Sequence, residues 1–232
     1  MGWRTILDGF GSLLFPHLCL NCHRTIERRT DLLCLACGTA MPESDSLLRP
    51  DNALTDRLVG RVPLVFGAYA YVFREGTVCQ SLIHALKYHD RPDVGSGLAR
   101  RFGTRLAGQA ALQDLDAIIP VPIHPRRLRK RGYNQAEKIA EGLAAALGVP
   151  VRARALRRKA FQGSQTRRGK LERLENVRHS FAAGNGDFSG KHVLLVDDVL
   201  TTGATVDFCA DALLGAHPGI RLSVVTLAAA ER

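Results

Sequence analysis

The apolar positions of the chain change period several times, and each change marks an element. At the start, Trp3, Ile6, Leu7, Phe10, Leu13 and Leu14 recur at i, i+3, i+4 and i+7, the repeat of a helix with one apolar face, and Pro16 ends it. Residues 1–16 are therefore expected to form an amphipathic helix that docks on the main domain. A membrane-surface anchor is the weaker reading, because the polar face carries one Arg and one Asp and few other charges. From Val62 onward, strand-like runs alternate with helix-like ones, the order that builds βαβ units and a largely parallel sheet. Val65 to Phe73 reads as a strand, and Val78, Cys79, Leu82, Ile83 and Leu86 as one face of a helix; residues 95–112 carry a second, weaker helical pattern. Ala117 to Val121 is a short buried strand. Ala136, Ile139, Ala140, Leu143, Ala144 and Leu147 then mark a helix, with Asn134 and Glu137 spaced as a capping box and Gly148 and Pro150 as its stop.

Two stretches break the alternation. Residues 42–61, polar and proline-containing, resemble a linker, which predicts a small module over 17–45 and a main domain over 62–232. Residues 157–180 hold Arg, Lys, Gln, Gly, Thr and Ser with little periodicity and read as a long mobile loop between strands, a feature that compact domains keep mainly for function.

Composition narrows the class. At 46% hydrophobic and 23% charged residues, the 232-residue chain has ordinary globular values, and no apolar run approaches the ~18 to 20 residues of a bilayer span. The N-terminus lacks a secretory pattern, so the expectation is a cytoplasmic protein. The net charge of +10 is uneven: Arg126 to Arg178 contains 16 Lys or Arg against four acids, and the rest of the chain sums to −2. Concentrating the excess in under a quarter of the length points to a polyanion, with phosphate the expected partner; a solvated Arg-rich surface is the competing reading.

Four of the six cysteines form two pairs, Cys19-Leu-Asn-Cys22 and Cys34-Leu-Ala-Cys37, eleven residues apart. A two-residue gap lets both thiolates of a pair turn onto one ion, and two such knuckles complete the tetrahedron Zn²⁺ prefers. Arg24, Arg28 and Arg29 lie close in sequence to offset the charge. Four thiolates leave no open position, so the zinc would be structural and would supply the stability a segment this short cannot obtain from burial. A disulfide or redox pair is the alternative. Cys79 and Cys209 fall on apolar helix faces and read as core residues.

The most informative stretch is Val193-Leu-Leu-Val-Asp197-Asp198-Val-Leu-Thr201-Thr202-Gly203-Ala204-Thr205. A buried strand ends in two adjacent acids, and a Thr/Gly turn opens a helix whose apolar face is Val206, Cys209, Ala210, Leu213 and Leu214. Ligands of open α/β sheets bind at this edge, and the backbone N–H groups of a helix start converge on an anion. Asp197 and Asp198 repel each other, so keeping both suggests that they accept from sugar hydroxyls or help hold a divalent cation through water.

This pattern resembles the 5-phosphoribosyl-1-pyrophosphate (PRPP) signature of type I phosphoribosyltransferases. The resemblance implies that fold, a mostly parallel sheet flanked by helices, with Asp197 and Asp198 on the ribose hydroxyls and Thr201, Thr202, Gly203, Ala204 and Thr205 on the 5′-phosphate. Ile119-Pro-Val121-Pro122-Ile-His124 looks like the family's pyrophosphate loop, and the basic stretch Arg157 to Arg178 lies where the family keeps an active-site lid. The full series is narrower. The double C-x2-C module, Leu86-Lys87-Tyr88-His89, Pro120 to Arg127, Arg131-Gly-Tyr-Asn-Gln135, Gln165 with Arg173 and Asn176, and the signature together resemble the ComF family over nearly the whole chain. That likeness implies Lys87 and His124 as pyrophosphate contacts and adds Arg127 and His89, which read equally well as surface residues. It also implies an association with natural competence, at the cytoplasmic side of DNA uptake with a helicase-like partner.

The chemistry implied is phosphoribosyl transfer with Mg²⁺ on PRPP, in which Lys87, His124 and the two acids form the catalytic set. Glutamine-dependent amidotransfer is not expected, because the chain starts Met-Gly where that group of enzymes has a glutaminase domain with an N-terminal cysteine. The alternative to an enzyme is a non-catalytic PRPP-binding adaptor whose basic segment and zinc module hold single-stranded DNA or a protein. Only Tyr133 and Phe161 supply aromatic rings to that segment, fewer than strand binders usually interleave.

Overall fold

The computed structural model describes residues 17–26, 31–158 and 180–230. The expected N-terminal helix, Arg28, Arg29, Gln165, Arg173, Asn176 and most of the basic loop lie outside them. In chain order the described elements are α1 (Leu35–Thr39), α2 (Thr55–Leu58), β1 (Leu64–Phe73), α3 (Val78–Tyr88), α4 (Pro92–Leu106), a 3₁₀ turn (Ala110–Leu112), β2 (Ala117–Pro120), α5 (Pro125–Arg131), α6 (Gln135–Leu147), β3 (Leu156–Arg158), β4 (Phe181–Ala183), β5 (His192–Leu200), α7 (Ala204–Ala216) and β6 (Arg221–Ala230).

Four strands pair in the order β1-β6-β5-β2, all parallel. A parallel sheet needs cover on both faces, and two apolar layers provide it. Leu194 and Val196 pack with α3, α4 and α6 on one side, while Val193 and Leu195 pack with α2, α7 and the antiparallel β3–β4 hairpin on the other. Along the first face α4 and α6 lie almost in backbone contact, since a Cβ on Gly142 would stand 2.2 Å from the Ser96 carbonyl oxygen.

Residues 42–61 are not a free linker. The Ser44 N–H donates to the Ala70 carbonyl at 2.9 Å, the Val72 N–H donates to Pro42, and the Ser46 hydroxyl donates to Tyr69, so the segment runs antiparallel along β1 and covers its outer edge. Leu54 and Leu58 then enter the core fully buried. The weaker helical pattern assigned to 95–112 begins earlier, at Pro92, and ends at Leu106 before the 3₁₀ turn. Three elements carry no clear periodic signal: α5, which buries no residue, and the two three-residue strands of the hairpin.

Candidate functional site

The site forms where β5 outruns its neighbour. β2 pairs with β5 only from Ala117 opposite Val193 to Pro120 opposite Val196, whereas β6 follows β5 through Leu200. The Val121 N–H makes the last bond, to the Val196 carbonyl at 2.8 Å. Asp197 and Asp198 are thus the first β5 residues beyond β2. The alternation of a strand sends them to different faces, Asp197 following Val193 and Leu195, and Asp198 following Leu194 and Val196.

Their surroundings differ accordingly. Lys87, in the last turn of α3, places Nζ 3.0 Å from Asp198 Oδ2. Asp197 accepts from the Asp198 N–H at 2.8 Å, yet desolvation and the charge of Asp198 push its carboxyl up to about 7, against the pull of Lys87 and Arg158. Beyond Leu200 the chain turns at Gly203, whose φ of +80° is the left-handed conformation that glycine adopts most readily, and opens α7. Arg61 braces this turn from behind, with Nη1 3.2 Å from Asp207 Oδ2 and Nη2 donating to the Thr202 carbonyl at 3.3 Å.

A cavity of about 880 Å³ opens at this edge. Of the residues expected from sequence, Lys87, Val121, Pro122, Arg127, Asp197, Asp198 and Thr205 line it. Thr201 and Thr202 face a neighbouring hollow of about 1020 Å³ beside Arg57 and Arg61, while Gly203 and Ala204 line neither. His124 is not on the wall. Its Nδ1 accepts from the Arg126 N–H at 3.2 Å and caps α5, and desolvation together with Arg158, Arg126, Arg127 and Arg129 lowers its proton affinity. His89 also lies off the wall, against the ring of His84.

Other wall residues stand in stretches quoted from the sequence without being given a role at the site, among them Tyr133, Tyr88 and Arg158. Tyr133 donates its hydroxyl to the Leu86 carbonyl at 2.5 Å and so ties the end of α3 to the turn after α5. Tyr88 presents its ring under the Arg131 guanidinium, 5.1 Å away. Arg158 comes from β3, at the start of the stretch read as a loop. Asn134, expected as a helix cap, does this and more: it accepts from the Ala136 N–H and donates to the Val121 carbonyl at 3.0 Å, fixing the turn below the cavity.

At the other end of the described chain, Cys19, Cys22, Cys34 and Cys37 bring their sulfurs within 4.8 Å of one another, with Cys22 and Cys34 3.6 Å apart. A tetrahedron with zinc–sulfur bonds of the usual length separates sulfurs by about 3.8 Å, so the four fit that ion. Burial opposes ionisation of Cys19, but backbone N–H groups of Cys22, Cys34 and Asn21 hold its thiol down to about 6. The Asn21 amide favours the Cys37 thiolate, yet burial and the other sulfurs outweigh it and push that thiol up to about 11. Asn21 also accepts from the Ser81 hydroxyl at 2.8 Å, which links the cluster to α3. Cys79 and Cys209 are buried in the core as expected.

Comparison with known proteins agrees with this architecture. The phosphoribosyl transferase domain matches residues 129–232. The DNA utilization protein YhgH of Shigella flexneri is 30% identical over 204 residues, 85% of this chain and 84% of that protein. The competence protein ComFC of Bacillus subtilis is 25% identical over 228 residues, 97% and 88% of the two chains, and competence protein F of Haemophilus influenzae is 35% identical over 94 residues, 40% and 41%. With that domain match, the parallel sheet flanked by helices is a type I phosphoribosyltransferase fold, and among the described residues no helix is long and apolar enough to cross a membrane. With two of these relatives matched along most of both chains, this protein belongs to the ComF family of competence-associated phosphoribosyltransferase-fold proteins.

Proposed function

We propose that the chain binds PRPP with Mg²⁺ in the 880 Å³ cavity and transfers its phosphoribosyl group to an acceptor, in the service of DNA uptake. The observation that carries this reading is the convergence on one cavity of the two β5 carboxylates, the Val121–Pro122 turn after β2 and Thr205 in the first turn of α7. Carboxylates accept from vicinal sugar hydroxyls, a helix start accepts a phosphate, and the β2 turn and Lys87 remain for the pyrophosphate. Bound Mg²⁺ would neutralise charge on the departing pyrophosphate. Cleavage of the C1–O bond needs little covalent help, so the work of the protein is positioning and charge compensation. Lys87 already stands beside Asp198 and can turn from it to a pyrophosphate oxygen, and Asp197, whose carboxyl burial and the charge of Asp198 push up, can take part in a hydrogen bond with a hydroxyl.

Zinc held by Cys19, Cys22, Cys34 and Cys37 would be structural, and ligation by four thiolates suits a reducing, cytoplasmic setting. Metal analysis of the purified chain should find about one zinc per molecule, lost in Cys34→Ser; a folded, metal-free protein would remove this part of the reading.

A second reading is favoured by α5, where Arg126, Arg129 and Lys130 are exposed on a helix that buries nothing. In it the chain is a PRPP-binding adaptor that holds single-stranded DNA or a helicase-like partner. Calorimetric titration with PRPP and Mg²⁺, followed by an acceptor screen for pyrophosphate release, separates the two. Binding with release supports the enzyme, and binding without release plus a steep salt dependence on DNA supports the adaptor. No binding of PRPP would overturn both.

A further inference from the structure

We infer that Asn21 and Ser81 are positioning residues for Lys87, so that zinc in the cysteine cluster sets how tightly the cavity holds its ligand. The part of this that concerns PRPP rests on the proposed function. The cluster is not an appendage. Cys19 and Cys37 are buried in the same apolar layer as Val78, Leu82 and Leu86 of α3, while Cys22 is exposed and Cys34 half-buried. Leu20, Leu32 and Leu33, close in sequence to the four cysteines, pack against that layer, and a Cβ on Gly97 of α4 would stand 3.6 Å from Leu32.

A polar link crosses the same contact. Asn21 lies within the first C-x2-C pair; its Nδ2 donates to Cys37 Sγ at 3.4 Å, and its Oδ1 accepts from the Ser81 hydroxyl at 2.8 Å. A single amide thus joins a metal ligand to α3, whose N-cap residue Thr77 makes no capping bond with its side chain. Groups that bond a ligand from outside orient it towards the ion. Along the helix from Ser81, about 9 Å away at the usual rise per residue, Lys87 stands 3.0 Å from Asp198. A hydrogen-bonded helix moves as a body, so a change of seat at Ser81 is felt at Lys87. A segment as short as the cysteine module keeps its shape through the metal. Without the ion, Asn21 and the three leucines lose their seat, α3 loses a strut, and the pairing of Lys87 with Asp198 loosens. Linkage then requires that a ligand held by Lys87 tighten the hold on zinc by the same factor by which zinc tightens the hold on that ligand.

The test compares the full chain loaded with zinc and stripped by a zinc-selective chelator. In calorimetry with Mg²⁺, the stripped chain should bind PRPP about tenfold more weakly, and saturating PRPP should raise zinc affinity about tenfold in competition with the chelator. Ser81→Ala touches neither a cysteine nor the cavity wall; it should keep one zinc per chain and cut the coupling to about twofold. Asn21→Ala should do the same, and the double variant should lose no more coupling than Asn21→Ala alone. Amide exchange in Ser81→Ala should quicken from Leu86 to His89 while β5 and β6 stay protected. Unchanged PRPP affinity on stripping, or full coupling in Ser81→Ala, would overturn the inference and leave the proposed function standing. A chain that unfolds without zinc is judged by the competition measurement, where an ion that only holds the fold gives equal coupling in wild type and Ser81→Ala and overturns the inference. A chain that binds no PRPP, yet loses protection from Leu86 to His89 in Ser81→Ala, would support the strut and sink the proposed function. No binding and no change in exchange would sink both.

Discussion

Asp197 and Asp198 are neighbours in sequence and strangers in environment. One turns toward α3 and meets Lys87 at 3.0 Å; the other turns toward α7 and the hairpin, where desolvation and the charge of Asp198 push it up to about 7 against the pull of Lys87 and Arg158. A side-chain period of two is enough to produce this division. An acidic pair at a strand end is thus two groups with separate surroundings, one paired with a lysine and one whose carboxyl is pushed up by burial and by its neighbour's charge.

The largest effect that tests the contrast comes from removing both groups. Asp197→Asn with Asp198→Asn should abolish measurable PRPP binding without unfolding the domain; unchanged calorimetric binding would contradict the assignment of either. Next in size, Lys87→Met should weaken PRPP about tenfold or more, since it removes a charge-assisted contact and leaves Asp198 without its partner. An effect confined to stability would recast Lys87 as scaffolding.

The proton on Asp197 gives a third, smaller signal. Its folded carboxyl titrates at about 7 against 3.8 for the ordinary value, so between about pH 4 and 7 the native state keeps a proton that the unfolded chain has released. Stability is therefore greatest at the acid end of that window and falls as pH rises through it, by up to about 1.4 kcal/mol per unit. Urea unfolding at intervals of pH should show this slope in the wild type and a flatter profile in Asp197→Asn. Smallest of all, Gly203→Ala touches the turn that both acids share. A Cβ there would stand 3.1 Å from Leu58 and 3.2 Å from Arg61 at a φ of +80°, so a loss of about 1–2 kcal/mol is expected, read as a lowered Tm.

The sequence made the strongly periodic elements legible. The strand through Val193–Val196, the helix face Val206–Leu214 and the helix with Ile139 and Leu143 announce themselves because burial on a regular element leaves a regular trace. Residues 42–61 misled because only Leu54 and Leu58 enter the core deeply, while the rest of the segment is fixed by backbone and small polar bonds that any polar composition could make. Helix α5 left no apolar stripe because it buries nothing. Arg158 was read only as part of the basic stretch from Arg157, because its neighbour Phe181 lies across the hairpin and no local pattern connects the two. The cysteine cluster was readable in full, since its spacing is itself the chemistry.

One small irregularity governs whether there is room for a ligand at all. Along β2 the Ile118 N–H points outward, to Pro150, and the Val121 N–H inward, to Val196, so Pro120 and Pro122 fall on the outward side, where the missing N–H groups end the pairing with residues 150–152. On the other side the pairing with β5 ends at Val121, just as the acids of β5 come into view. Were that zipper to close by another notch, the carboxylates would face a wall of peptide in place of open space.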